Sequence, residues 1–229
     1  MEKITVLLQV KNAAEHLRTC IDSILNQTYS NFELLFIDDQ STDHTLAIIS
    51  SYKDPRITIL KGQAGYINNL NHGIELSASK YIARMDGDDI MLPSRLEKQL
   101  SVMERENIDL CGTWMQVFGD QDYLAGDVCG LIDRAIDKLY KVNYLFHPTV
   151  MIRKSFLQEH QLKYEHYFPT EDYKLWSEIA KKNGAIYVIP EPLLNYRRSN
   201  SQLSIANHHE MRRQELRIRS EIGEFIHRR

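Results

Sequence analysis

The chain has 229 residues, a formal net charge of −3 at pH 7 and a pI near 6.3. A chain of this length can bury a substantial core, so it needs no disulfide or metal to fold, and its slightly acidic balance gives no reason to expect nucleic acid as a partner. Cys20, Cys111 and Cys129 are an odd, widely spaced set that argues against a disulfide framework and a structural zinc site. No apolar run approaches the roughly 18 residues that cross a bilayer, and the N-terminus lacks a cleavage site, so we expect a soluble, cytoplasmic chain.

Strand-like and helical segments alternate along residues 1–118. The run ITVLLQV at 4–10 is continuously apolar and β-branched, as in strands buried on both faces, and apolar positions at helical spacing follow it. The same pattern repeats, with further strands predicted at FELLFIDD (32–39), RITIL (56–60), YIARMD (81–86) and IDLCGTWMQVFG (108–119). This alternation predicts an α/β fold with a Rossmann-like, mostly parallel sheet flanked by helices.

Residues 119–206 have an α+β pattern instead. The segment at 120–130 is rich in Asp and Gly and is predicted to be a loop. After it we predict a helix near 131–142, a strand at TVMIR (149–153), a helix at EDYKLWSEIAKKNG (171–184) and a strand at AIYVI (185–189) that ends at Pro190. We therefore expect one domain over 1–206, with a parallel-sheet half (1–118) and an α+β half (119–206).

The last segment, 207–229, predicts an amphipathic helix with six Arg and four Glu. A helix that packs on the domain or binds a partner, such as a second copy, is one interpretation. A basic helix lying on a membrane surface, which would place the protein at the inner face of the membrane, is the other.

Acidic residues gather at the predicted ends of two strands. Asp38 and Asp39 end one strand, and Asp86, Asp88 and Asp89 end another, at the sheet edge where parallel sheets bind ligands. Neighbouring carboxylates repel one another unless a cation lies between them. Two carboxylates hold Mg²⁺ or Mn²⁺ weakly unless substrate phosphate oxygens complete the shell, so the pattern favours a cation shared with a diphosphate. A solvated acidic turn is the alternative.

Missing motifs narrow the enzyme class. The sequence has no GxxxxGK[ST] loop and no GxGxxG after its first strand, which argues against a P-loop ATPase and a dinucleotide oxidoreductase. A metal-dependent phosphatase or nucleotidyltransferase stays an alternative. However, an aspartyl-phosphate phosphatase would carry its DxD after the first strand, where QVKNA has no acid, and the Gly-rich signature of a pyrophosphorylase is also missing.

Four segments, in order, resemble the family 2 inverting glycosyltransferases of the GT-A fold. They are SILNQTYSNFELLFIDDQSTDHTL, NHGIELSASKYIARMDGDDIMLPSRLEKQ, HPTVMIRK and PTEDYKLW, and the resemblance covers most of residues 4–198. Members of this family move a sugar from a nucleotide diphosphate donor to an acceptor hydroxyl. The resemblance implies a GT-A fold, a donor that is most often a UDP-sugar, and a carbohydrate or glycolipid acceptor such as a growing polysaccharide.

The resemblance also implies a role for each matching acid. Asp39 would bind the nucleotide base, Asp86 would contact the ribose and the metal, and Asp88 would be the principal ligand of Mn²⁺ or Mg²⁺. Asp172, with Glu171 beside it, would be the catalytic acid pair, because an inverting transfer needs a base to remove the acceptor proton. From spacing alone, a helix N-terminus stabilised by acidic residues explains the same pair equally well.

Further donor contacts are predicted less directly. Asn71 lies in GYINNLNHG, which matches the family's donor-side helix, and Arg198 follows Arg197 where relatives have a loop that closes over the donor. Surface arginines and a packing role for the amide are the alternatives.

The first strand is followed by a departure from the family pattern. Many relatives have Pro-x-Tyr-Asn there, whereas this chain has QVKNA, so the Tyr that commonly stacks on the base is absent. Gln9, Lys11 and Asn12 are the predicted donor contacts in its place. The departure also motivates a third hypothesis, a catalytically silent module that binds sugar nucleotides, which the retained Asp86, Asp88 and Asp172 oppose.

Overall fold

The computed structural model describes residues 2–63, 65–199 and 207–229. The first half contains β1 (Ile4–Val10), α1 (Leu17–Leu25), β2 (Phe32–Asp38), α2 (Thr45–Ser51), β3 (Ile57–Lys61), α3 (Tyr66–Leu76), β4 (Tyr81–Met85), β5 (Ile90–Met91), α4 (Arg95–Arg105) and β6 (Leu110–Gly119). The second half contains β7 (Tyr123–Ala125), β8 (Gly130–Leu131), α5 (Ala135–Lys141), β9 (Met151–Arg153), α6 (Lys154–Glu159), α7 (Glu171–Lys181) and β10 (Ile186–Arg198), and α8 (His208–His227) follows.

The ten strands of the described residues form one sheet in the order β3-β2-β1-β4-β9-β6-β10-β5, with β7 on β6 and β8 on β10. Strands β3, β2, β1 and β4 are mutually parallel, and β6 and β10 are parallel to each other. The short β9 lies between β4 and β6 and is antiparallel to both, and the short β5, β7 and β8 also pair antiparallel with their neighbours. The predicted α/β fold with a mostly parallel sheet is confirmed.

Apolar side chains from both faces of the sheet build the core. On one face, Ile4, Val6 and Leu8 of β1 pack in the cluster that contains the buried residues of α1, α2 and α4. On the other face, Leu7 packs with Ile37 and Ile74 of α3. A second large cluster joins α3, α5, α7 and α8 to β6 and β10. Because β1 is covered on both faces, its sequence is apolar without alternation.

The structure corrects three expectations for the second half. Strand β10 does not end at Pro190 but runs on to Arg198, with register shifts around Pro192. Proline has no N–H for the ladder, so it is accommodated where the pairing is irregular. The predicted loop at 120–130 contains the short strands β7 and β8, and the one-and-a-half-turn helix α6 was not predicted.

The extension of β10 positions the candidate site. Residues Leu194 and Asn195 pair with β5, which directly follows the acidic segment after β4. Arg197 and Arg198 therefore lie at the sheet edge that carries the acids. Among the described residues, no helix has the length and apolar character required to cross a bilayer.

Candidate active site

Strands β2 and β4, which lie on either side of β1, deliver acidic side chains to one edge of the sheet. Strand β1 pairs in parallel with β2 and with β4, so that Val10 aligns with Asp38 and Leu8 with Met85, the residue before Asp86. The Asp39 backbone N–H donates to the Val10 carbonyl at 2.8 Å, which continues the β1–β2 alignment past the strand end. The segment QVKNA therefore lies between the two acidic clusters.

Asp39 is held in a small polar pocket beside this segment. Its side chain is mostly buried, and its carboxylate accepts a hydrogen bond from Asn69 Nδ2 at 3.0 Å and lies 3.4 Å from Lys11 Nζ. A Cβ at Gly62 would approach the Asp38 carbonyl to 2.7 Å and the Asn69 amide to 2.8 Å, so only glycine leaves this pocket open. Lys11 thus places a cation at the base site predicted for Asp39.

Asn12 and Gln9 have different surroundings at the end of β1. Asn12, in the left-handed region at φ 51°, accepts a hydrogen bond from Thr42 N at 2.8 Å and donates its backbone N–H to Ser41 Oγ at 3.0 Å. It therefore ties the turn after β1 to the turn after β2. Gln9 Oε1 is buried and has no hydrogen-bond partner among the described residues, which leaves a polar atom ready for a ligand.

A buried arginine that the sequence analysis did not single out holds Asp86. Arg84 lies inside β4 with its side chain 3% exposed, forms an ion pair with Asp86 and donates from Nη2 to Tyr66 Oη at 2.6 Å. The signal was present, since YIARM places a charge within a strand that is otherwise apolar apart from its tyrosine, and such charges are almost always paired. Asp86 itself stays one-third exposed toward the donor side of the sheet edge.

The last strand clamps the acidic segment through its main chain. Asp89 is fully buried and accepts from the Arg197 backbone N–H at 2.8 Å, while Arg197 Nε donates to the Asp88 carbonyl at 3.0 Å. The Arg197 guanidinium also lies over the ring of Phe118, 4.6 Å from its centroid. Arg197 is thus a fixed part of the acidic segment.

The carboxylates of this segment crowd one another. Burial, followed by repulsion from Asp86, raises the pKa of Asp88, and burial followed by Asp86 and Asp88 raises the pKa of Asp89 well above its usual value. The same three acids add to burial in raising the pKa of Tyr196, whereas Arg198 opposes that shift, so Tyr196 lies near the cluster and Arg198 lies near Tyr196. A bound cation would relieve this repulsion.

Whether these carboxylates can hold a divalent cation depends on the oxygen atoms that a bound donor supplies. The described residues contain no group of three His, Cys, Asp or Glu side chains arranged to hold a metal ion. Asp88 and Asp86 supply two carboxylates, and Mg²⁺ or Mn²⁺ prefers about six oxygen ligands. The residues therefore fit a cation whose remaining ligands come from a donor diphosphate and water.

The predicted catalytic pair starts α7. Glu171 and Asp172 follow the N-cap residue Thr170, and Asn143 Nδ2 donates to Asp172 Oδ2 at 3.4 Å. Burial raises the pKa of Asp172 to about 6, against the lowering effect of its hydrogen bonds, and burial with the Asp172 charge raises the pKa of Glu171 to about 7. Acids that only stabilised a helix start would have lowered pKa values, so this environment suits proton transfer near neutral pH.

Arg84 lies between the Asp86–Asp89 segment and the Glu171–Asp172 pair, and its charge acts on both. Its charge lowers the pKa of Glu171 and of Asp172 against the larger effect of burial. His147, in a short 3₁₀ turn at 147–149, has its Nε2 2.8 Å from Tyr164 Oη, and burial followed by Arg84 lowers its pKa well below the usual value. His147 is therefore a neutral partner of Tyr164 beside the site.

Asn71 and Arg198 are the two remaining residues predicted to contact the donor. Asn71 contacts another part of the chain, and part of the segment that follows Arg198 lies outside the described residues. Asn71 donates from Nδ2 to the Tyr164 carbonyl and accepts from the Tyr164 backbone N–H, both at 2.9 Å, so its amide joins α3 to the α+β half. Its donor contact stays a prediction, as does that of Arg198. The rest of the predicted closing loop, 200–206, lies outside the described residues.

Comparisons with known proteins show the family to which the chain belongs. The family model for Glycosyl transferase family 2 matches residues 5–175. The O-antigen biosynthesis glycosyltransferase WbnJ of Escherichia coli is 32% identical, over 87% of this chain and 81% of its own length. The UDP-Glc:alpha-D-GlcNAc-diphosphoundecaprenol beta-1,3-glucosyltransferase WfgD of the same organism is 29% identical, over 92% of this chain and 83% of its length.

Solved structures match at the level of the fold. The crystal structure of S. aureus TarS 1-349 in complex with UDP-GlcNAc superposes with a TM-score of 0.75 at 16% identity. The match covers 87% of this chain and 60% of the TarS chain, so the present chain spans less than two thirds of that protein. The GT-A fold is therefore shared, while residue roles have to be argued from the side chains described above.

Proposed function

The chain belongs to glycosyl transferase family 2, and we propose that it transfers a sugar, with inversion, from a nucleotide diphosphate donor to an acceptor hydroxyl. The observation that carries this proposal is that the Asp86–Asp89 segment and the Glu171–Asp172 pair both lie around the buried Arg84. The Asp86–Asp89 segment has crowded carboxylates that call for a cation, and the Glu171–Asp172 pair has pKa values near neutrality.

Donor binding is assigned to the edge formed by β1, β2 and β4. Asp39, with Lys11 at 3.4 Å, faces the nucleotide base, and the unpaired Gln9 Oε1 offers a further polar contact. We favour a UDP-sugar, because the relative WfgD is named for UDP-Glc and the TarS fold is seen with UDP-GlcNAc. Arg198, which directly follows Arg197 at the end of β10, is assigned to the donor diphosphate.

Mn²⁺ or Mg²⁺ is proposed as the cofactor, held by Asp88 and, more weakly, by Asp86. When bound, the ion would offset the negative charge that develops on the departing nucleoside diphosphate. Arg84 fixes Asp86 in position through their ion pair, and Arg197 fixes the segment through its contact with the Asp88 carbonyl. These contacts hold the segment in one shape before the donor arrives.

Proton removal is assigned to Asp172. With a pKa of about 6, its carboxylate is ionised at neutral pH and still basic enough to accept the proton of the acceptor hydroxyl. The Asn143 amide orients one carboxylate oxygen by donating to it, and the charge of Asp172 adds to burial in raising the pKa of the neighbouring Glu171 to about 7. Deprotonated oxygen then attacks the anomeric carbon from the side opposite the leaving diphosphate, which inverts the linkage.

The acceptor is proposed to be a carbohydrate or a glycolipid in polysaccharide or glycoconjugate biosynthesis. The names of the relatives support this class, because WbnJ is named for O-antigen biosynthesis and WfgD for a sugar on diphosphoundecaprenol. Such an acceptor is consistent with a cytoplasmic protein at the inner face of the membrane, which is the location we propose.

The proposal is tested by mixing the purified chain with a panel of nucleotide diphosphates and their sugars, with and without Mn²⁺. We expect a UDP-containing ligand to raise the melting temperature more with Mn²⁺ than without it. Slow release of UDP from one UDP-sugar in the same samples would show that the site is catalytic. No stabilisation and no hydrolysis with any activated sugar would overturn the proposal.

A further inference from the structure

The surface shared by α5 and α8 concentrates exposed apolar side chains. Of the eight large hydrophobic side chains most exposed among the described residues, four lie on α8 or within four residues of α5, with exposures between 45% and 62%. They are Leu131, Tyr140, Val142 and Leu216. A concentration of this kind marks an interaction surface more often than scattered single residues do.

A continuous groove runs between the two helices. Two adjoining cavities of about 530 and 760 Å³ share Tyr140, Lys141, Gly223 and His227 in their walls. A Cβ added at Gly223 would come within 3.3 Å of the Tyr140 ring, so the glycine allows the helices to approach closely. We call this surface, with its apolar and basic rim, the α5–α8 face.

The charges exposed on this face are mostly positive, although the whole chain carries a net charge of −3. Segments 133–141 and 208–229, which include α5 and α8, carry nine Lys and Arg residues against six Asp and Glu residues. The exposed basic residues among them are Arg134, Lys138, Lys141, Arg212, Arg213, Arg217, Arg228 and Arg229. Several arginines of α8 form ion pairs with glutamates of the same helix, but their side chains stay largely exposed to solvent. Arg213 is 74% exposed and its partner Glu210 37%, and Arg228 is 81% exposed and its partner Glu224 64%.

We propose that the α5–α8 face docks on the surface of a bilayer that contains anionic phospholipid. Exposed apolar side chains framed by Lys and Arg are the features that hold amphipathic helices in the headgroup region. Anionic headgroups complement the excess of positive charge, whereas a second copy of this face would bring like charges together. The absence of a spanning helix among the described residues is compatible with docking of this kind.

The face is rigidly connected to the candidate active site. Asn143, which donates to Asp172, follows α5 by two residues. Glu221 of α8 accepts a hydrogen bond at 2.7 Å from Lys174 of α7, two residues after Asp172. Docking would therefore bring the base close to an acceptor that is held in the membrane by a lipid. This consequence rests on the proposed function, whereas the docking itself does not.

The test is co-sedimentation of the purified full chain with vesicles of phosphatidylcholine alone or mixed with phosphatidylglycerol. We expect binding to the mixed vesicles to be at least about tenfold stronger and to weaken with salt, since each basic side chain near such a surface contributes about fivefold. Tyr140→Gln with Leu216→Gln, and separately Lys138→Gln with Lys141→Gln, should each lower binding about tenfold or more. The matched control, Lys53→Gln with Leu76→Gln, changes an exposed cation and an exposed apolar residue elsewhere and should bind as the native chain does.

Equal binding to both vesicle types, or an equal loss in the control variant, would overturn the docking proposal. So would a concentration-dependent dimer in sedimentation velocity that Leu216→Gln abolishes, because the face would then belong to a second copy. Circular dichroism of each variant shows that folding is retained. UDP-sugar hydrolysis without vesicles separates the two proposals, because it should persist if only the docking fails.

Discussion

Two acidic clusters, the Asp86–Asp89 segment and the Glu171–Asp172 pair, place carboxylates in different surroundings. The Asp86–Asp89 segment is tied down by Arg84 and by the Arg197 main chain, and its crowded carboxylates leave one edge open toward a ligand. The Glu171–Asp172 pair has no ion-pair partner within salt-bridge distance among the described residues, and it accepts hydrogen bonds from the Asn143 amide and from nearby backbone N–H groups. Contact with a fixed positive charge thus distinguishes the segment proposed to bind a cation from the pair proposed to transfer a proton.

This difference gives each cluster its own expected phenotype. Changes in the first cluster should alter donor and cation binding, while changes in the second should alter the transfer step and its pH dependence. The following variants test that separation, beginning with the largest expected effect.

Asp172→Asn removes the proposed base while it keeps the size of the side chain. We expect the transfer rate at saturating donor to fall about 10³-fold, within the range typical of general-base catalysis. Binding of UDP with Mn²⁺, measured by calorimetry, should change less than about threefold. Full transfer activity in this variant would remove Asp172 from the role of base.

Asp88→Asn removes the main carboxylate proposed for the cation. We expect a loss of about 10²-fold in transfer, together with the loss of any increase in UDP affinity on adding Mn²⁺. Chelation of divalent ions in the native protein should reproduce the loss, and added Mn²⁺ should reverse it. Asn71→Ala is a useful comparison, because its amide contacts the Tyr164 backbone and should not affect the response to Mn²⁺.

Arg84→Met removes the cation that lies between the clusters. It leaves Asp86 and the Tyr66 hydroxyl without their partner, so we expect the free energy of unfolding to fall by about 3 kcal/mol in urea titration. The pH at which transfer reaches half its maximum should also rise, because Arg84 lowers the pKa of Asp172. Arg84→Lys keeps a charge and should show a smaller shift of that midpoint. A midpoint that moves in neither variant would contradict this coupling.

The pH profile of the native protein tests the second cluster without mutation. Asp172 has to lose its proton to act, so the transfer rate should rise tenfold per pH unit below about pH 6 and level off above it. UDP binding measured over the same range should not follow this curve. A transfer rate that stays flat down to about pH 4 would show that no carboxylate with a raised pKa limits the reaction.

Glu171→Gln has the smallest expected effect, and the effect is on stability. Glu171 has a raised pKa of about 7 in the folded protein, so the folded state holds its proton more firmly and stability falls as pH rises from about 4 to about 7. The free energy of unfolding of the variant should therefore be about 1 to 2 kcal/mol higher than that of the native chain at about pH 8. Near pH 4, where the native side chain is protonated in both states, thermal melts of the two proteins should agree.

Local sequence patterns predicted the parallel half of the fold well. Strands such as β1 are buried on both faces, so their apolar residues are continuous in sequence and easy to recognise. The predicted strand ended at Pro190, because prolines such as Pro190 and Pro192 argue against a strand. Only the pairing with the neighbouring strands shows that β10 continues after the irregular pairs. Pairing partners distant in sequence decide such cases.

The candidate site was predictable where its residues are consecutive. Asp86, Asp88 and Asp172 were found through short motifs, and the structure places them at the expected sheet edge and helix start. Arg84 was missed because a lone arginine in a strand has no readable partner until the fold brings Tyr66, Asp86 and the α7 acids around it. Contacts such as Asn71 with Tyr164 likewise join residues 93 positions apart.

The separation of roles between the clusters is tested most directly by titrating UDP into three proteins, with and without Mn²⁺, in one calorimetric series. The native chain and Asp172→Asn should both bind UDP more tightly when Mn²⁺ is present, and Asp88→Asn should show no such gain. If Asp172→Asn loses the Mn²⁺ effect while Asp88→Asn keeps it, the assignment of the cation to the first cluster and of the proton to the second is wrong.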